Sequence, residues 1–227
     1  MLRIGAIVQV RMSSRRLPGK VLKNVNGKPL LQYVLEKLEH CSSLKEFVVA
    51  TSLEKSDDPI EAFCKKYNVS YYRGSLNDVA SRFKEVSERN QWNAFVRVNG
   101  DSPLIDSCLI DKGIDLYGDG NFDLVTNIFP RTYPSGQSIE VVRVSTFKNV
   151  YSRFSNSDDF EHVTNFFYRN PQEYKIFNFS SKTDYGKIHM SVDTPEDIQL
   201  FSTIISKMIK PHWEYRIDEL IKLVRDI

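Results

Sequence analysis

Short β-favouring runs alternate with helical patterns along the first half of the chain, and this alternation constrains the fold more than any other feature. The runs at 4–8, 47–50 and 94–98 are apolar on both faces and are followed by polar or loop-forming residues. Strands of this kind are typical of the centre of a sheet that helices cover on each side. Helical patterns lie between and after them, at 29–38, 59–67 and 78–90. The first half therefore predicts an α/β fold with a mostly parallel sheet.

The pattern changes after residue 116. A strand at 122–126 leads into a turn-rich segment at 129–138 and then into an alternating run at 139–144. These segments predict an excursion from the sheet, a protruding hairpin over 128–144. The remaining predicted elements are helices at 145–154 and 159–168, strands at 174–179 and 188–192, a core helix from Pro195 and an amphipathic helical tail over 212–227. No repeat or linker divides the chain, so 1–227 is predicted to be one domain.

Composition limits the class of protein. With 227 residues, 41% hydrophobic and 26% charged, the chain is neither collagen-like nor largely disordered. No apolar run approaches the roughly 18 residues that a membrane-spanning helix needs, and the first residues lack the features of a signal peptide. Cys41, Cys64 and Cys108 are widely spaced and odd in number, which suits buried thiols in a reducing compartment. We therefore expect a cytoplasmic protein without membrane insertion.

Positive charge is concentrated at the start of the chain. Seven cations precede the first acid, Glu36, so the first 35 residues carry +7 and the remainder −5 of a total of +2. Five of these cations lie between Arg11 and Lys23, in a loop that leaves the carboxyl end of the first predicted strand. Ligands bind at this edge of open α/β sheets, and a loop with free amides, hydroxyls and cations suits a polyphosphate.

Three other interpretations of this loop are a solvated surface segment, a nucleic-acid patch and a conventional phosphate loop. A nucleic-acid partner is disfavoured, because the total charge is near zero and the loop holds no aromatic side chain for base stacking. A conventional phosphate loop is excluded, because neither GxxxxGKS/T nor GxGxxG occurs. The solvated segment stays open beside phosphate binding.

Two acids follow predicted strands. Asp101 lies in an Asn-Gly-Asp turn after the strand at 94–98, and Asp193 follows the strand at 188–192. Carboxylates in these places suit a Mg²⁺ ion on a triphosphate. Each also has a structural explanation, because Asp101 can cap its turn, and Asp193 or Thr194 can cap the helix that begins at Pro195.

A set of short, specific segments runs through nearly the whole chain. The segments are QVRMSSRRLPGKVL at 9–22, VATS at 49–52, DDPI at 57–60, YRGS at 72–75, RVNGDSPLID at 97–106, RTYPSGQSIEV at 131–141, EHVT at 161–164 and VDTPED at 192–197. In this order they closely resemble the cytidylyltransferases of surface-carbohydrate biosynthesis, particularly the spore-coat polysaccharide biosynthesis proteins. Wider relatives activate sialic acid and 3-deoxy-manno-octulosonic acid as cytidine monophosphate conjugates.

The resemblance implies a Rossmann-like nucleotide-diphospho-sugar transferase fold. It further implies transfer of CMP from CTP, with release of pyrophosphate, to a small acceptor: an oxygen of a sugar acid, a phosphorylated sugar or a similar molecule. The products would serve capsule, lipopolysaccharide or spore-coat synthesis. On matching positions, Arg11, Lys20 and Asp101 would be catalytic, and Asp101 and Asp193 would hold Mg²⁺.

The resemblance also implies two sets of binding residues. Those implied for the nucleotide are Gln9, Arg11, Met12, Ser13, Ser14, Lys20, Arg73, Ser75, Asn99 and Asp101. Those implied for the acceptor are Tyr133, Ser135, Gln137, Glu140, Glu161 and His162. A homodimer is implied as well, in which 128–144 reaches the partner's acceptor site.

The chain departs from the family pattern in two places. The usual YPDGLDVEV reads YPSGQSIEV at 133–141, and the usual RMGSTRLPGK reads RMSSRRLPGK at 11–20. Ser135 and Ser138 replace two acids, which would suit an acceptor that bears phosphate or carboxylate. Ser13 replaces a glycine and Arg15 a threonine, and we expect phosphate binding to be retained.

Two other functions can be compared with the same residues. A nucleotide-sugar-dependent glycosyltransferase of the same fold usually carries Asp-x-Asp at a strand end, where this chain reads Asp101-Ser102-Pro103. A non-catalytic nucleotide-binding subunit would have no need of both Asp101 and Asp193. The sequence therefore favours the cytidylyltransferase interpretation over both.

Overall fold

A computed structural model describes residues 2–227. Its strands are β1 (Ile4–Gln9), β2 (Asn24–Val25), β3 (Lys28–Pro29), β4 (Glu46–Ser52), β5 (Tyr71–Gly74), β6 (Ala94–Asn99), β7 (Leu124–Thr126), β8 (Glu140–Arg143) and β9 (Ile176–Asn178). Its α-helices are α1 (Leu30–Glu39), α2 (Asp58–Lys66), α3 (Val79–Arg89), α4 (Ser107–Asp119), α5 (Val144–Tyr151), α6 (Ser157–Glu161), α7 (Asn165–Arg169), α8 (Pro195–Ser206) and α9 (Ile217–Arg225). Short 3₁₀ turns lie at Lys20–Leu22, Lys55–Asp57, Pro171–Glu173 and His212–Glu214.

One seven-stranded sheet organises the molecule, with the spatial order β5-β4-β1-β6-β8-β7-β9. Strand β8 runs antiparallel to its neighbours β6 and β7, and the other pairs are parallel. Strands β2 and β3 form a separate small ribbon. Because β4, β1 and β6 lie side by side, the loops that follow Ser52, Gln9 and Asn99 meet at one edge of the sheet. The predicted mostly parallel α/β sheet is confirmed.

Helices cover both faces of this sheet. Helices α1, α2 and α4 pack on one face, against side chains such as Val8, Val96 and Val141. Helices α3, α5 and α7 pack on the other face, against the neighbouring positions Ile7 and Phe95. Successive side chains of a strand point to opposite faces, so the doubly apolar runs of the sequence follow from this two-sided cover. Helices α8 and α9 form a third apolar cluster against α1 and the start of the chain.

Several predicted elements are wrong or missing. Strand β5 and helix α4 were not predicted. Strand β5 lies half-buried at the edge of the sheet and lacks a run of residues that is apolar on both faces. The predicted helix at 159–168 is two short helices, α6 and α7, with a break at 162–164. The predicted strand at 188–192 makes only an isolated bridge between His189 and Ser135.

The segment 128–144 differs from the predicted protruding hairpin in its second half. Strand β8 lies inside the main sheet, with Glu140 and Val141 paired to both β6 and β7. The alternation that suggested an excursion comes from Glu140 and Arg143, which interrupt the apolar positions of β8. Glu140 is buried and pairs with Arg97 of β6, so this polar position lies inside the molecule.

Three further expectations concern cysteines and membranes. Cys41 and Cys64 are buried, Cys108 is exposed, and all three are unpaired. The expectation of burial is therefore wrong for Cys108, which lies in the first turn of α4. Within residues 2–227, no helix is both long and apolar enough to cross a membrane.

Candidate active site

The loop after β1 is fixed at its two ends. The amide of Gly19 donates to the carbonyl oxygen of Met12 at 2.8 Å. Gly19 has φ of 71°, a left-handed conformation that suits glycine, and it directs the chain into the 3₁₀ turn that begins at Lys20. The amide of Met12 donates to Oδ1 of Asp57 at 2.7 Å. Arg15 and Arg16 lie between Met12 and Gly19, so these two fixed residues hold the cations at the edge of the sheet.

Lys20 joins three distant parts of the chain. Its Nζ donates to Asp101 Oδ2 at 2.7 Å, to Asp193 Oδ1 at 2.9 Å and to the carbonyl of Val192 at 2.8 Å. The side chain of Lys20 is only 9% exposed. The fold thus brings Lys20 into direct contact with Asp101 and Asp193, and these three residues were predicted to act together.

Asp193 is held by the start of α8. Oδ2 of Asp197 accepts the amides of Asp193 and Thr194, both at 2.8 Å, within a capping box. Burial raises the pKa of Asp197, but these amide donors outweigh burial and leave the pKa below its ordinary value. Asp101 is coupled to the same segment, because the amide of Val192 donates to the Asp101 carbonyl at 2.8 Å. The two carboxylates therefore sit on a connected backbone.

The donor set at this point fits a hard divalent cation. The carboxylates of Asp101 and Asp193 both contact the Lys20 ammonium, so a cation in the same place would have two oxygen ligands. Mg²⁺ prefers oxygen ligands of this kind. Arg16 also reaches Asp193 Oδ1, at 2.8 Å. Next to them, His189 Nε2 lies 3.6 Å from Asp197 Oδ2 and 3.8 Å from Asp193 Oδ2, in a group that could also hold a metal ion. In the sequence His189 lies four residues before Asp193, and the fold brings both next to Asp197.

Arg11, in the loop after β1, forms an ion pair with Glu161. Arg11 Nη2 lies 3.0 Å from Glu161 Oε1, and both side chains are exposed by more than 40%. His162 Nε2 lies 3.5 Å from Asp158 Oδ1 and is similarly exposed. These three predicted residues are accessible to a ligand.

The predicted nucleotide-binding residues fall into two groups. Asn99 lies at the end of β6, and its Oδ1 is buried without a hydrogen-bond partner among the described residues. Arg73, by contrast, is fully used by the protein: it donates to the carbonyls of Ser52 and Glu54 and pairs with acids of α2. The hydroxyl of Ser75 accepts the amide of Asp78, which is the N-cap residue of α3.

Four more of the predicted nucleotide-binding residues lie at the end of β1 or in the loop after it. Met12 was expected to offer its amide to the nucleotide, but that amide is committed to Asp57. The side chain of Gln9 accepts from Arg97 Nε at 3.1 Å. Ser13 and Ser14 remain in the open part of the loop, and their amides donate to no residue within 2–227.

Three of the six predicted acceptor-binding residues, Tyr133, Gln137 and Glu140, are buried in the structure. Gln137 uses both ends of its amide on the loop after β6: it donates to the Leu104 carbonyl at 2.6 Å and accepts the Asp106 amide at 2.9 Å. Tyr133 is buried against Phe179. Ser135 remains near the edge, with its hydroxyl 2.8 Å from His189 Nδ1.

Glu140 belongs to a buried polar network. Its Oε2 lies 3.0 Å from Arg97 Nη1, and its Oε1 accepts the hydroxyl of Tyr168 at 2.6 Å. Arg97 also donates to the hydroxyl of Thr164 at 3.0 Å. Burial, together with the neighbouring Glu140, raises the pKa of Tyr168 well above its ordinary value. The structure thus gives Glu140 a role in joining β6, β8 and α7, in place of the exposed position expected for an acceptor contact.

Asp57 is a site residue that sequence reasoning missed. It lies in the quoted segment 57–60, but nothing in its sequence neighbourhood showed that its carboxylate would reach the loop after β1. The available signal was an acid placed five residues after a polar strand end, Thr51-Ser52, at the edge where the loops meet.

Comparison with known proteins agrees with this geometry. The family model described as cytidylyltransferase matches residues 5–222. The spore coat polysaccharide biosynthesis protein SpsF of Bacillus subtilis is 28% identical over 208 residues, which are 88% of this chain and 85% of that protein. A cytidylyltransferase structure from Leptospira borgpetersenii superposes with a TM-score of 0.94 at 31% identity, covering 100% of this chain and 95% of the other.

A more distant structure supports the fold. The CMP:2-keto-3-deoxy-manno-octonic acid synthetase, solved in complex with CTP, superposes with a TM-score of 0.67 at 19% identity and covers 90% of this chain and 99% of that one. The resemblance inferred from short segments is confirmed over almost the whole chain, and with it the enzyme class. The chain belongs to the cytidylyltransferase family.

Proposed function

We propose that the protein transfers CMP from CTP to an oxygen of a sugar acid, a phosphorylated sugar or a similar small acceptor, and releases pyrophosphate. The observation that carries this proposal is the convergence of Asp101 and Asp193 on the ammonium of Lys20, beside a cationic loop. A polyphosphate and a cation are the ligands that such an arrangement suits. The products would enter surface-carbohydrate synthesis, the process named for the Bacillus relative.

The protein contributes mainly position and charge. In the reaction an acceptor oxygen attacks the α-phosphorus of CTP, and the bond to the β-phosphate oxygen breaks. Arg11 and Lys20 would neutralise negative charge on the transferring and leaving phosphates. The free amides of Ser13 and Ser14 and the Ser13 hydroxyl would donate to the phosphate oxygens. The Ser14 hydroxyl accepts the Leu17 amide at 3.3 Å and keeps its own proton for a ligand. Asn99 Oδ1 would accept a donor from the nucleotide, which would satisfy its buried oxygen.

Asp101 and Asp193 would hold Mg²⁺, the cofactor that we propose. When bound, the ion would withdraw charge from the phosphates and orient the triphosphate. Without a divalent cation the Lys20 ammonium neutralises the two carboxylates itself. Once a cation neutralises them, Lys20 is available to a phosphate oxygen.

An anionic acceptor suits the edge beyond Asp193. Ser135 and Ser138 replace acids of the family pattern, and Arg131 Nη2 donates to the Ser138 hydroxyl at 3.0 Å. Glu161 and His162 are the remaining exposed candidates for acceptor contacts. An acceptor phosphate or carboxylate needs no strong base, because its oxygen is already an anion at neutral pH.

Release of pyrophosphate tests the proposal. The protein is incubated with CTP, UTP, ATP, GTP or dTTP and with a panel of sugar acids and sugar phosphates, in Mg²⁺ or in EDTA. We expect pyrophosphate only with CTP, Mg²⁺ and one acceptor class, and a loss of at least about 100-fold in Asp101→Asn. Cleavage of a nucleotide sugar without pyrophosphate would favour the glycosyltransferase alternative. Binding of CTP without turnover on any acceptor would favour the non-catalytic subunit.

We also propose that the protein acts as a homodimer in the cytoplasm. The exposed part of segment 128–144, which includes the half-exposed ring of Phe129, is the expected contact. Light scattering measures the mass of the particle against the 26.3 kDa of one chain. A particle of that single mass, at the concentrations used for activity, would contradict the dimer.

A further inference from the structure

The carboxylate of Asp57 is fully buried and makes no salt bridge within residues 2–227. Its Oδ2 accepts from the Thr51 hydroxyl at 3.0 Å, from the Ser52 amide at 3.1 Å and from the Ser52 hydroxyl at 2.5 Å. Its Oδ1 accepts from the amide of Met12 at 2.7 Å. Burial of a charge is costly unless hydrogen bonds satisfy it, so four donors on one carboxylate show a group that is built into the end of β4.

Met12 is pinned from both sides by these contacts. Its amide is bound to Asp57, and its carbonyl accepts the amide of Gly19 at 2.8 Å. Residues 13–18 form a short loop between Met12 and Gly19. The hydrogen bond from Gly19 to Met12 closes this loop at its base. The backbone amides of 13–16 donate to no acceptor within residues 2–227. A run of free amides on a rigid base is an anion-binding arrangement.

A buried negative charge beneath a phosphate-binding loop would repel its ligand unless a cation balanced it. Arg82 provides that balance, because its side chain is almost completely buried on α3 and its charge interacts with Asp57. Burial lowers the pKa of Arg82 to about 10, the Asp57 charge opposes this shift, and the nearby Arg11 adds to it. Arg82 therefore stays protonated at neutral pH and balances Asp57 without taking any of its hydrogen bonds.

We propose that Asp57 is the positioning residue of the phosphate-binding loop: it holds the Met12 amide away from the ligand, so that the amides of 13–16 are presented together to one triphosphate. This inference rests on the proposed function, since it assigns the loop to the phosphates of CTP. It predicts a division within one ligand, in which Asp57 matters for the β- and γ-phosphates and not for the nucleoside.

Calorimetric titration with three ligands tests that division. Wild type and Asp57→Asn are titrated with CTP, CMP and inorganic tripolyphosphate in the presence of Mg²⁺. We expect Asp57→Asn to lose about 10- to 100-fold in affinity for CTP and tripolyphosphate, as misplacement of a binding group by about 1 Å does. Its affinity for CMP should change by less than about threefold. Equal losses for all three ligands would overturn the inference.

Two further variants separate positioning from stability. Thr51→Val removes one hydrogen bond from the Asp57 carboxylate but leaves the bond to Met12, so it should lower the melting temperature and keep the affinity for CTP. Asp123→Asn is the matched control, because Asp123 also accepts an amide and a hydroxyl but lies before β7, at the opposite edge. A loss of CTP affinity in either variant as large as that in Asp57→Asn would overturn the inference.

Hydrogen exchange of the wild-type protein tests the same point without a mutation. We expect the Met12 amide to be protected in the free protein and the amides of 13–16 to exchange fast, then to slow at least about tenfold when tripolyphosphate binds. Protection of Met12 only after ligand binding would overturn the inference. If CTP does not bind but tripolyphosphate does, the proposed function fails while the role of Asp57 is still judged by these measurements. If neither ligand binds, both fail.

Discussion

Lys20 lies at the carboxyl edge of the sheet, where it contacts both of the carboxylates proposed to hold the metal ion. Its ammonium is the shared partner of Asp101 and Asp193 and is almost completely buried. A divalent cation would compete with it for the same two carboxylates. The affinity of the free protein for a metal would therefore depend on Lys20 as well as on the two acids.

Lys20→Met should separate metal binding from catalysis. The variant keeps the apolar length of the side chain and removes the competing charge, so we expect Mn²⁺ to bind the free variant at least about tenfold more tightly than wild type. Pyrophosphate release should fall by at least about 100-fold, because the phosphates lose a cation. Calorimetry measures the Mn²⁺ affinity, and release of pyrophosphate from CTP measures the activity.

The control for Lys20→Met is Lys23→Met. Lys23 is an exposed cation of the same segment, outside the contacts that surround the two carboxylates. It should leave both Mn²⁺ affinity and activity within about twofold of wild type. Weaker Mn²⁺ binding in Lys20→Met would show that the ammonium does not occupy the metal position.

The contact between β6, β8 and α7 shows how elements are joined by buried charge. Glu140→Leu leaves the largely buried Arg97 without its counter-charge and the Tyr168 hydroxyl without one of its partners. We expect the free energy of unfolding to fall by about 3–5 kcal/mol, as for other buried pairs broken on one side. Urea denaturation measures it.

The exposed pair of Arg153 and Glu173 gives a matched comparison for this network. Glu173→Gln should cost below about 1 kcal/mol, because the solvated ion pair it breaks is weak. If Glu140→Leu were equally mild and instead raised the KM for the acceptor, then Glu140 would be an acceptor contact, as the family resemblance implied.

The docking of the C-terminal tail carries a pH dependence. His212 is buried against α1, where its Nε2 lies 3.2 Å from the Tyr33 carbonyl, and burial lowers its pKa to about 4. The imidazole is therefore neutral in the folded protein, while the unfolded chain takes up a proton below about pH 6.5. Its contribution to stability is complete above that pH and is lost as the pH falls toward 4. Between pH 7 and pH 5 the loss is about 2 kcal/mol.

His212→Gln should remove this part of the pH dependence. The free energy of unfolding of wild type and variant is measured at pH 7 and pH 5, and the two should converge at the lower pH. His162→Gln, at an exposed histidine, should follow wild type at both pH values. A constant difference between wild type and His212→Gln across this range would contradict a buried neutral imidazole.

The sequence predicted those features that depend on local pattern. The doubly apolar strands β1, β4 and β6 and the amphipathic helices between them follow from burial on two faces or on one. Lys20, Asp101 and Asp193 were also predicted, because they lie in short specific segments. Strand β8 was placed outside the sheet, because no local pattern reveals the antiparallel direction that inserts it between β6 and β7.

Contacts over long sequence distances account for the remaining differences. The amide of Gln137 and the carboxylate of Asp57 look available in the sequence, and only the fold shows that the protein uses both itself. Arg73 is the same case, since its ion pairs with α2 occupy the guanidinium. A polar side chain near a site is free for a ligand only when its own neighbours leave it unsatisfied, as they do for Asn99 Oδ1.

The uneven distribution of charge over the molecule leads to a last prediction. The total is only +2, but the loop that contains Arg15 and Arg16 places cations at the carboxyl edge of the sheet. The opposite edge lies roughly 20 Å away, the length of a seven-residue strand. That distance exceeds the Debye length of about 8–10 Å near physiological ionic strength.

Arg15→Gln and Lys45→Gln remove the same charge from the two edges. Arg15 is exposed and makes no salt bridge within residues 2–227, and Lys45 is an exposed residue just before β4. At about 0.15 M salt, Arg15→Gln should weaken CTP binding several-fold and reduce its dependence on ionic strength, because the protein loses a cation close to the triphosphate. Lys45→Gln should do neither, since salt screens it from the ligand. Equal effects of the two variants would show that the field of the whole molecule, and not the loop, attracts the nucleotide.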